Sequence, residues 1–197
     1  MKKLLSLCLT AALLLNMMPM IAAAATENNK TILELEETIK GNSRAEIRDA
    51  NGQLVETLCV DVQVQETTTS RSSDGTIYSI TCSARSIDND EYSDSDTQDG
   101  YIAVLTMVCK DVPGTENILI SVSGNFSDCD EDTDNRVVSY SAYDVYNNLK
   151  SAINKSTNVP WSYVYTPVDY VGFTFVSSAT ARIVETGHYL YMHVTTN

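Results

Sequence analysis

Two runs of carboxylates are the residues of this 197-residue chain whose types and spacing best fit a metal site. One run lies within residues 88–99 and the other within 128–134, and neither contains a lysine or an arginine. Calcium takes about six to eight oxygen ligands, and alternating aspartates can place several carboxylates on one side of a turn. The candidate calcium ligands are Asp94, Asp96, Asp128, Asp130, Asp132 and Asp134.

The spacing of both runs departs from the best-known calcium loop, which requires glycine at its sixth position and glutamate at its twelfth. Counting from Asp94, these two positions hold Asp99 and Leu105, and the second run fails at the same two positions. Two interpretations therefore stay open. The runs either hold a calcium ion weakly, or they form solvated loops whose charge keeps sheet edges from associating. We expect no other cofactor, and none is required.

Two rows of aromatic side chains form the candidate ligand-binding surface. Trp161, Tyr163 and Tyr165 alternate in one predicted strand, and Tyr189 and Tyr191 alternate in the last one. Side chains two residues apart on a strand lie on the same face, about 6 to 7 Å from each other. A row that faces solvent can stack on sugar rings or on a protein partner, whereas a row that faces inward belongs to the core.

Four cysteines follow the amino-terminal region: Cys59, Cys82, Cys109 and Cys129. In an exported protein an even number of cysteines favours two disulfide bonds. Simple hairpin pairing sets Cys59 almost opposite Cys82, and it also brings Cys82 near Cys109, so these two bonds exclude each other. Buried free thiols are the alternative. No CxxC spacing indicates a zinc or thioredoxin-like site.

The sequence offers little catalytic chemistry. It has only two histidines, and it lacks a GxSxG elbow, an HExxH motif, a glycine-rich phosphate loop and a dinucleotide fingerprint. We therefore expect a protein that is not an enzyme. The alternative is a glycan hydrolase, because glycoside hydrolysis needs only two carboxylates about 5 to 10 Å apart.

The first 25 residues predict export. Lys2 and Lys3 precede an apolar stretch that ends in the small residues Ala23, Ala24 and Ala25, which is the order of a cleaved secretory signal peptide. We expect a secreted protein with no membrane span after cleavage. The formal net charge of −13 makes nucleic acid and anionic membranes poor partners, because this charge repels phosphate groups.

The remaining chain predicts a mainly β fold. Residues 26–43 form an amino-terminal segment that is either a short helix or a strand, and residues 44–197 form a single β-rich domain. Asn51-Gly52 is typical of a hairpin turn, and the strand after it alternates apolar and polar residues from residue 58 to 64. The expected architecture is an antiparallel sandwich or barrel-like sheet, with α+β as the alternative.

One segment has the spacing of a helix. Its apolar residues recur every three or four positions, and Ser141 and Asp144 stand where an amino-terminal cap and its partner belong. We expect one short helix near residues 142–154.

These patterns together predict a secreted, non-catalytic binding or structural module of the cell surface or extracellular space. Its expected ligand is a protein or a glycan.

Overall fold

The computed structural model describes residues 31–67, 75–85, 103–112, 114–126, 133–165 and 170–196. The chain divides into two units between Leu35 and Glu36. The described part of the first unit, residues 31–35, is helical. This helix, α1, continues into the second unit and spans residues 31–42. It resolves the choice between helix and strand for the amino-terminal segment.

Eleven strands form within the described residues of the second unit. They are β1 (Arg44–Arg48), β2 (Leu54–Glu66), β3 (Thr76–Arg85), β4 (Ala103–Asp111), β5 (Asn117–Asn125), β6 (Thr133–Tyr143), β7 (Leu149–Ser156), β8 (Trp161–Val164), β9 (Val171–Gly172), β10 (Thr174–Ile183) and β11 (Tyr189–Thr195).

The strands join into one sheet with the order β7-β6-β10-β11-β1-β2-β3-β4-β5-β8, and β9 pairs with β5. Every pairing in this sheet is antiparallel. The predicted class, mainly β with one helix, is therefore confirmed. The order also brings the last two long strands, β10 and β11, into the middle of the sheet between β6 and β1.

Buried and solvent-accessible side chains alternate along the strands, so one face of the sheet is buried and forms the core. On β2, the predicted apolar series holds, because Leu58, Val60 and Val64 are buried while Gln63 and Gln65 between and after them are exposed. The same period-two pattern continues on β4, β10 and β11, where every second residue is buried. Helix α1 adds the fully buried Ile39 to this core.

The helix predicted near residues 142–154 is wrong. This segment contains the end of β6, a turn and the start of β7. The apolar residues that gave the helical spacing are largely exposed: Val145 is 62% exposed, Tyr146 83% and Leu149 57%. Their spacing is therefore not the buried stripe of a helix.

A carboxylate decides the structure of this turn. Asp144 Oδ1 accepts hydrogen bonds from the backbone N–H groups of Tyr146 at 2.9 Å and of Asn148 at 2.8 Å. Asn147 takes a positive φ of 63°, which an asparagine tolerates better than most residues. Asp144 thus closes a hairpin instead of capping a helix.

The predicted hairpin between β1 and β2 is confirmed and has the same construction. Asp49 Oδ1 accepts hydrogen bonds from the N–H groups of Asn51 at 2.9 Å and of Gln53 at 2.8 Å. Gly52 takes the positive φ, 79°, at the position that Asn147 occupies in the other turn. Both turns depend on an aspartate that accepts from the residues two and four positions later.

The two ends of the sheet approach each other through β9 and β6. The N–H group of Phe173, the residue after β9, donates to the carbonyl oxygen of Tyr143 at 2.8 Å. Tyr140 of β6 is 1% exposed, and its ring lies 4.5 Å from that of Tyr165 and 5.5 Å from that of Tyr170, centroid to centroid. The sheet is therefore curled, and these aromatic rings cover its inner face where β6 approaches β9.

The cysteines do not pair as predicted. Cys59, Cys82 and Cys109 are free thiols, and Cys129 lies outside the described residues. Cys59 is opposite Arg85 on β3, while Cys82 is opposite Val62, so the predicted register was three residues out. Because Cys82 lies opposite Leu105 on β4, Cys109 is four positions further along, about 13 Å away along the strand. A disulfide between Cys82 and Cys109 would need a far shorter separation.

We expect the three thiols to differ in reactivity. Burial raises the pKa of Cys82 and of Cys109 to about 12, whereas Cys59 is only half-buried. At neutral pH a thiol reagent should modify Cys59 in the folded protein and reach the other two only after denaturation. Peptide mapping by mass spectrometry after labelling measures this. Labelling of Cys82 or Cys109 in the folded protein at the rate of Cys59 would contradict the prediction.

The contact between β5 and β8 predicts a sensitive glycine. A methyl group at Gly124 would overlap the carbonyl oxygen of Val104 and the indole ring of Trp161. We expect Gly124→Ala to lower the free energy of unfolding by about 1 to 3 kcal/mol, measured by chemical denaturation. Gly41→Ala is the matched control, because it adds a methyl group in open space within α1 and should be neutral or slightly stabilising. Equal stability of the two variants would contradict the prediction.

Candidate functional site

The first predicted aromatic row lies against the core. Trp161 is 5% exposed, and Tyr163 and Tyr165 are half-buried, so the exposed-platform interpretation is wrong for Trp161. The ring centroids of Trp161 and Tyr163 are 6.1 Å apart, and Tyr163 lies 6.1 Å from Tyr140. Lys155 lies over the Tyr163 ring, with its Nζ 4.4 Å from the ring centroid. We name Tyr140, Tyr163, Tyr165 and Tyr170 the tyrosine cluster.

The tyrosine cluster is a poor acid–base site. Burial raises the pKa of the Tyr165 hydroxyl strongly, and the neighbouring Tyr140 hydroxyl raises it further. The hydroxyls of Tyr140 and Tyr165 and the indole N–H of Trp161 are buried without a hydrogen-bond partner among the described residues. The Tyr165 hydroxyl therefore stays neutral at working pH, and the contribution of the tyrosine cluster is packing.

The second predicted row reaches the outer face. Tyr191 is 36% exposed, Tyr189 is half-buried, and their ring centroids are 6.4 Å apart with the planes tilted by 34°. The residues between and after them, Leu190 and Met192, are buried on the inner face. The tyrosines must therefore lie on the outside, because successive side chains on a strand alternate between faces.

Polar side chains of the two neighbouring strands lie on both sides of these tyrosines. On β1, Arg48 is opposite Tyr189 and Glu46 is opposite Tyr191. On β10, Arg182 is opposite Tyr189 and Thr180 is opposite Tyr191. One pair further along, His193 lies between Arg44 of β1 and Ser178 of β10. We name the following set the outer patch: Arg44, Glu46, Arg48, Ser178, Thr180, Arg182, Tyr189, Tyr191 and His193.

Ion pairs fix two arginines of the outer patch. Arg48 donates to both carboxylate oxygens of Glu46, at 2.8 Å from Nε and 3.0 Å from Nη2. The hydrogen bond from Arg48 is the main reason that the pKa of Glu46 is lowered. Arg182 Nη1 donates to Asp134 Oδ2 at 3.0 Å. These pairs balance charge and hold polar groups in set positions around the rings.

Two open cavities lie along the outer patch. The larger, about 540 Å³, is bounded by the turn at Asp49 and by Arg182, His188 and Tyr189. The smaller, about 230 Å³, is bounded by Arg44, Glu46, Ser178, Tyr191 and His193. The tyrosine row runs between them, so a ligand along the row can enter both.

His193 is held by two hydroxyl groups. Its Nδ1 lies 3.0 Å from Ser178 Oγ and its Nε2 3.2 Å from Thr195 Oγ1. Burial, and then the charge of Arg44, lower the pKa of His193. A serine beside a histidine resembles a nucleophile and its base, but a base of that kind needs a third group to orient and stabilise its charged form. Here the second nitrogen contacts a neutral hydroxyl, which gives an imidazolium little stabilisation.

Five of the six predicted calcium ligands fall in parts of the chain that the structure does not describe. Asp94, Asp96, Asp128, Asp130 and Asp132 lie outside the described residues. Asp134 is described, and one of its oxygens is the acceptor for Arg182. In the parts of the chain that the structure describes, three or more His, Cys, Asp or Glu side chains do not converge on a position for a metal ion.

The sequence matches no known protein-family model, and a search of curated proteins finds no significant match. Among the described residues, no helix combines the length and the apolar character needed to cross a membrane.

Sequence reasoning missed the polar half of the outer patch. Arg44, Glu46 and Arg48 alternate in the sequence, as do Ser178, Thr180 and Arg182, so each set could have been assigned to one face of a strand. Their meeting with the tyrosines depends on β11 lying between β1 and β10. The pairing of β1 with β11 joins the first and the last strand of the sheet in sequence order. Local sequence patterns cannot predict a pairing between strands so far apart in the chain.

The environment of His193 predicts a loss of stability in acid. Because its pKa is lowered in the folded state, the unfolded chain binds the proton more tightly, and unfolding takes up a proton as the pH falls below about 6.5. The free energy of unfolding should therefore fall less between about pH 7 and pH 5 in His193→Gln than in the wild type. Chemical denaturation across this range measures the difference. Parallel pH profiles would contradict the prediction.

Proposed function

We propose that this protein is an exported, non-catalytic module that binds glycan through the outer patch. The observation that carries the proposal is the pair of solvent-facing rings, Tyr189 and Tyr191, flanked on both sides by ion-paired and hydroxyl side chains. Aromatic faces stack on the apolar faces of sugar rings, and the flanking groups can donate to and accept from sugar hydroxyls. Export is supported by the signal-like start of the sequence.

The position of the outer patch favours glycan over a peptide. Strand β11 is hydrogen-bonded to β10 on one side and to β1 on the other, so it offers no free edge to an added peptide strand. Recognition on this face must use side chains alone. Those side chains are tyrosines, hydroxyls and charged groups, which can stack on sugar rings and exchange hydrogen bonds with sugar hydroxyls.

The composition of the outer patch also favours binding over hydrolysis. A glycosidase needs one carboxyl group with a raised pKa and a second carboxylate near it. Glu46 of the outer patch and Asp134 beside it each accept from an arginine. The hydrogen bond from Arg48 lowers the pKa of Glu46, which is the opposite of what a general acid requires. The glycan hydrolase therefore stays the less favoured alternative.

A tyrosine substitution tests the proposal. In a glycan array followed by calorimetry with the best ligand, Tyr191→Ala should weaken binding about tenfold, because it removes half of the stacking surface. Tyr146→Ala is the matched control: it removes a tyrosine that is 83% exposed in the β6–β7 turn, outside the outer patch. The control should bind like the wild type.

Two results would count against the proposal. One is a wild-type protein that binds no glycan in the array. The other is an equal loss of affinity in Tyr191→Ala and Tyr146→Ala, which would separate binding from the outer patch.

A further inference from the structure

Arg44 differs from the other two arginines of the outer patch. Arg48 and Arg182 each form an ion pair, whereas no carboxylate among the described residues lies within ion-pair distance of Arg44. Arg44 is exposed and stands at the edge of the smaller cavity, directly opposite His193. The charge of Arg44 also acts on Glu46, more weakly than the hydrogen bond from Arg48 does. Among the three arginines of the outer patch, Arg44 is the one without an ion pair, so its guanidinium group is the one open to a ligand.

The smaller cavity presents hydrogen-bond donors next to this charge. Ser178 and Tyr191 contribute hydroxyl groups to its wall, and Arg44 contributes a guanidinium group with several N–H donors. Glu46 also lies in the wall, and both of its carboxylate oxygens accept from Arg48, which offsets its charge. Its volume, about 230 Å³, is below the range of cavities that enclose drug-sized ligands. One charged substituent, or one sugar ring, is the size of group that fits beside the tyrosine row.

We propose that the smaller cavity binds the carboxylate of an acidic sugar through Arg44, while Tyr189 and Tyr191 hold the adjoining rings. This inference rests on the proposed glycan-binding function and names its ligand class. Guanidinium and carboxylate match in geometry and charge, so this contact adds preference for the acidic form of the ligand. Isolated carboxylates along an otherwise neutral chain are the expected pattern.

The charge of the whole protein limits how acidic the ligand can be. A net charge of −13 repels a long, densely charged polyanion before it reaches the outer patch. A ligand with few carboxylates is repelled less, because each carboxylate can bind near Arg44. Arg48 and Arg182 are already paired with carboxylates of the protein, whereas Arg44 is not. The ligand class is therefore a glycan with scattered uronic-type acids.

The test compares one oligosaccharide in two forms. A uronic-acid oligosaccharide and its carboxyl-reduced product have the same rings and differ only in the acid. The wild-type protein should bind the acidic form about three to ten times more tightly, measured by calorimetry. Arg44→Gln should lose this preference and bind the two forms with equal affinity.

Lys110→Gln is the matched control for net charge. It removes the same single charge from β4, which lies three strands away from β1 in the sheet order, and should keep the preference for the acidic form. Thermal melting of each variant shows whether it is folded, so a lost preference cannot be mistaken for unfolding.

The outcomes separate this inference from the proposed function. Equal binding of both forms by the wild type, or an unchanged preference in Arg44→Gln, would overturn the carboxylate site and leave glycan binding intact. Binding of neither form would overturn the acidic sugar as the ligand class, and glycan binding itself would fall only if the wild type also binds nothing in the array. Tighter binding of an acidic peptide of equal charge would overturn the sugar as the ligand class.

Discussion

The packing of Tyr140 against Tyr163, Tyr165 and Tyr170 is the interaction on which the rest of the domain depends. A long sheet with two open ends would leave its apolar face in water. Here β6, the strand next to one end, meets β8 at the other end and β9 beside it. Closing the inner face with rings makes that face dry. Once it is dry, each strand has only one register that buries its apolar residues, and a slip of one residue would expose them all.

That register determines the outer patch. On β11, Leu190, Met192 and Val194 are buried, so Tyr189 and Tyr191 lie outside. The opposing strands obey the same constraint, because small inward residues on β1 and β10, such as Ala45, Ala179 and Ala181, leave the alternate polar side chains facing solvent. The side chains of the outer patch are thus the residues that alternate with the buried core residues on the same strands. It needs no special loop, and it lies where the sheet is hydrogen-bonded on both sides and therefore most firmly held.

The strand pattern could be predicted from sequence, whereas the pairing of distant strands could not. The alternation on β2 predicts a half-buried strand, and Asn51-Gly52 predicts a hairpin turn. Each prediction depends on neighbouring residues alone. The aspartate turn at Asp144 carries a weaker signal, because its asparagine replaces the glycine that marks the matching turn at Asp49. The two aromatic rows have the same spacing, yet one is inside. The apolar neighbours Leu190 and Met192 could have settled the second row, while the mixed neighbours Ser162 and Val164 of the first could not.

Local and global charge act at different ranges on this surface. At physiological salt, exposed charges are screened beyond about 8 Å, so a short ligand in the outer patch responds mainly to the groups that line it. Those groups include two ion pairs and the charge of Arg44. A long polyanion extends past the patch and meets the acidic remainder of the protein, which carries 26 carboxylate residues against 13 basic ones. The same chain can therefore accept one well-placed acid and reject a continuous row of them.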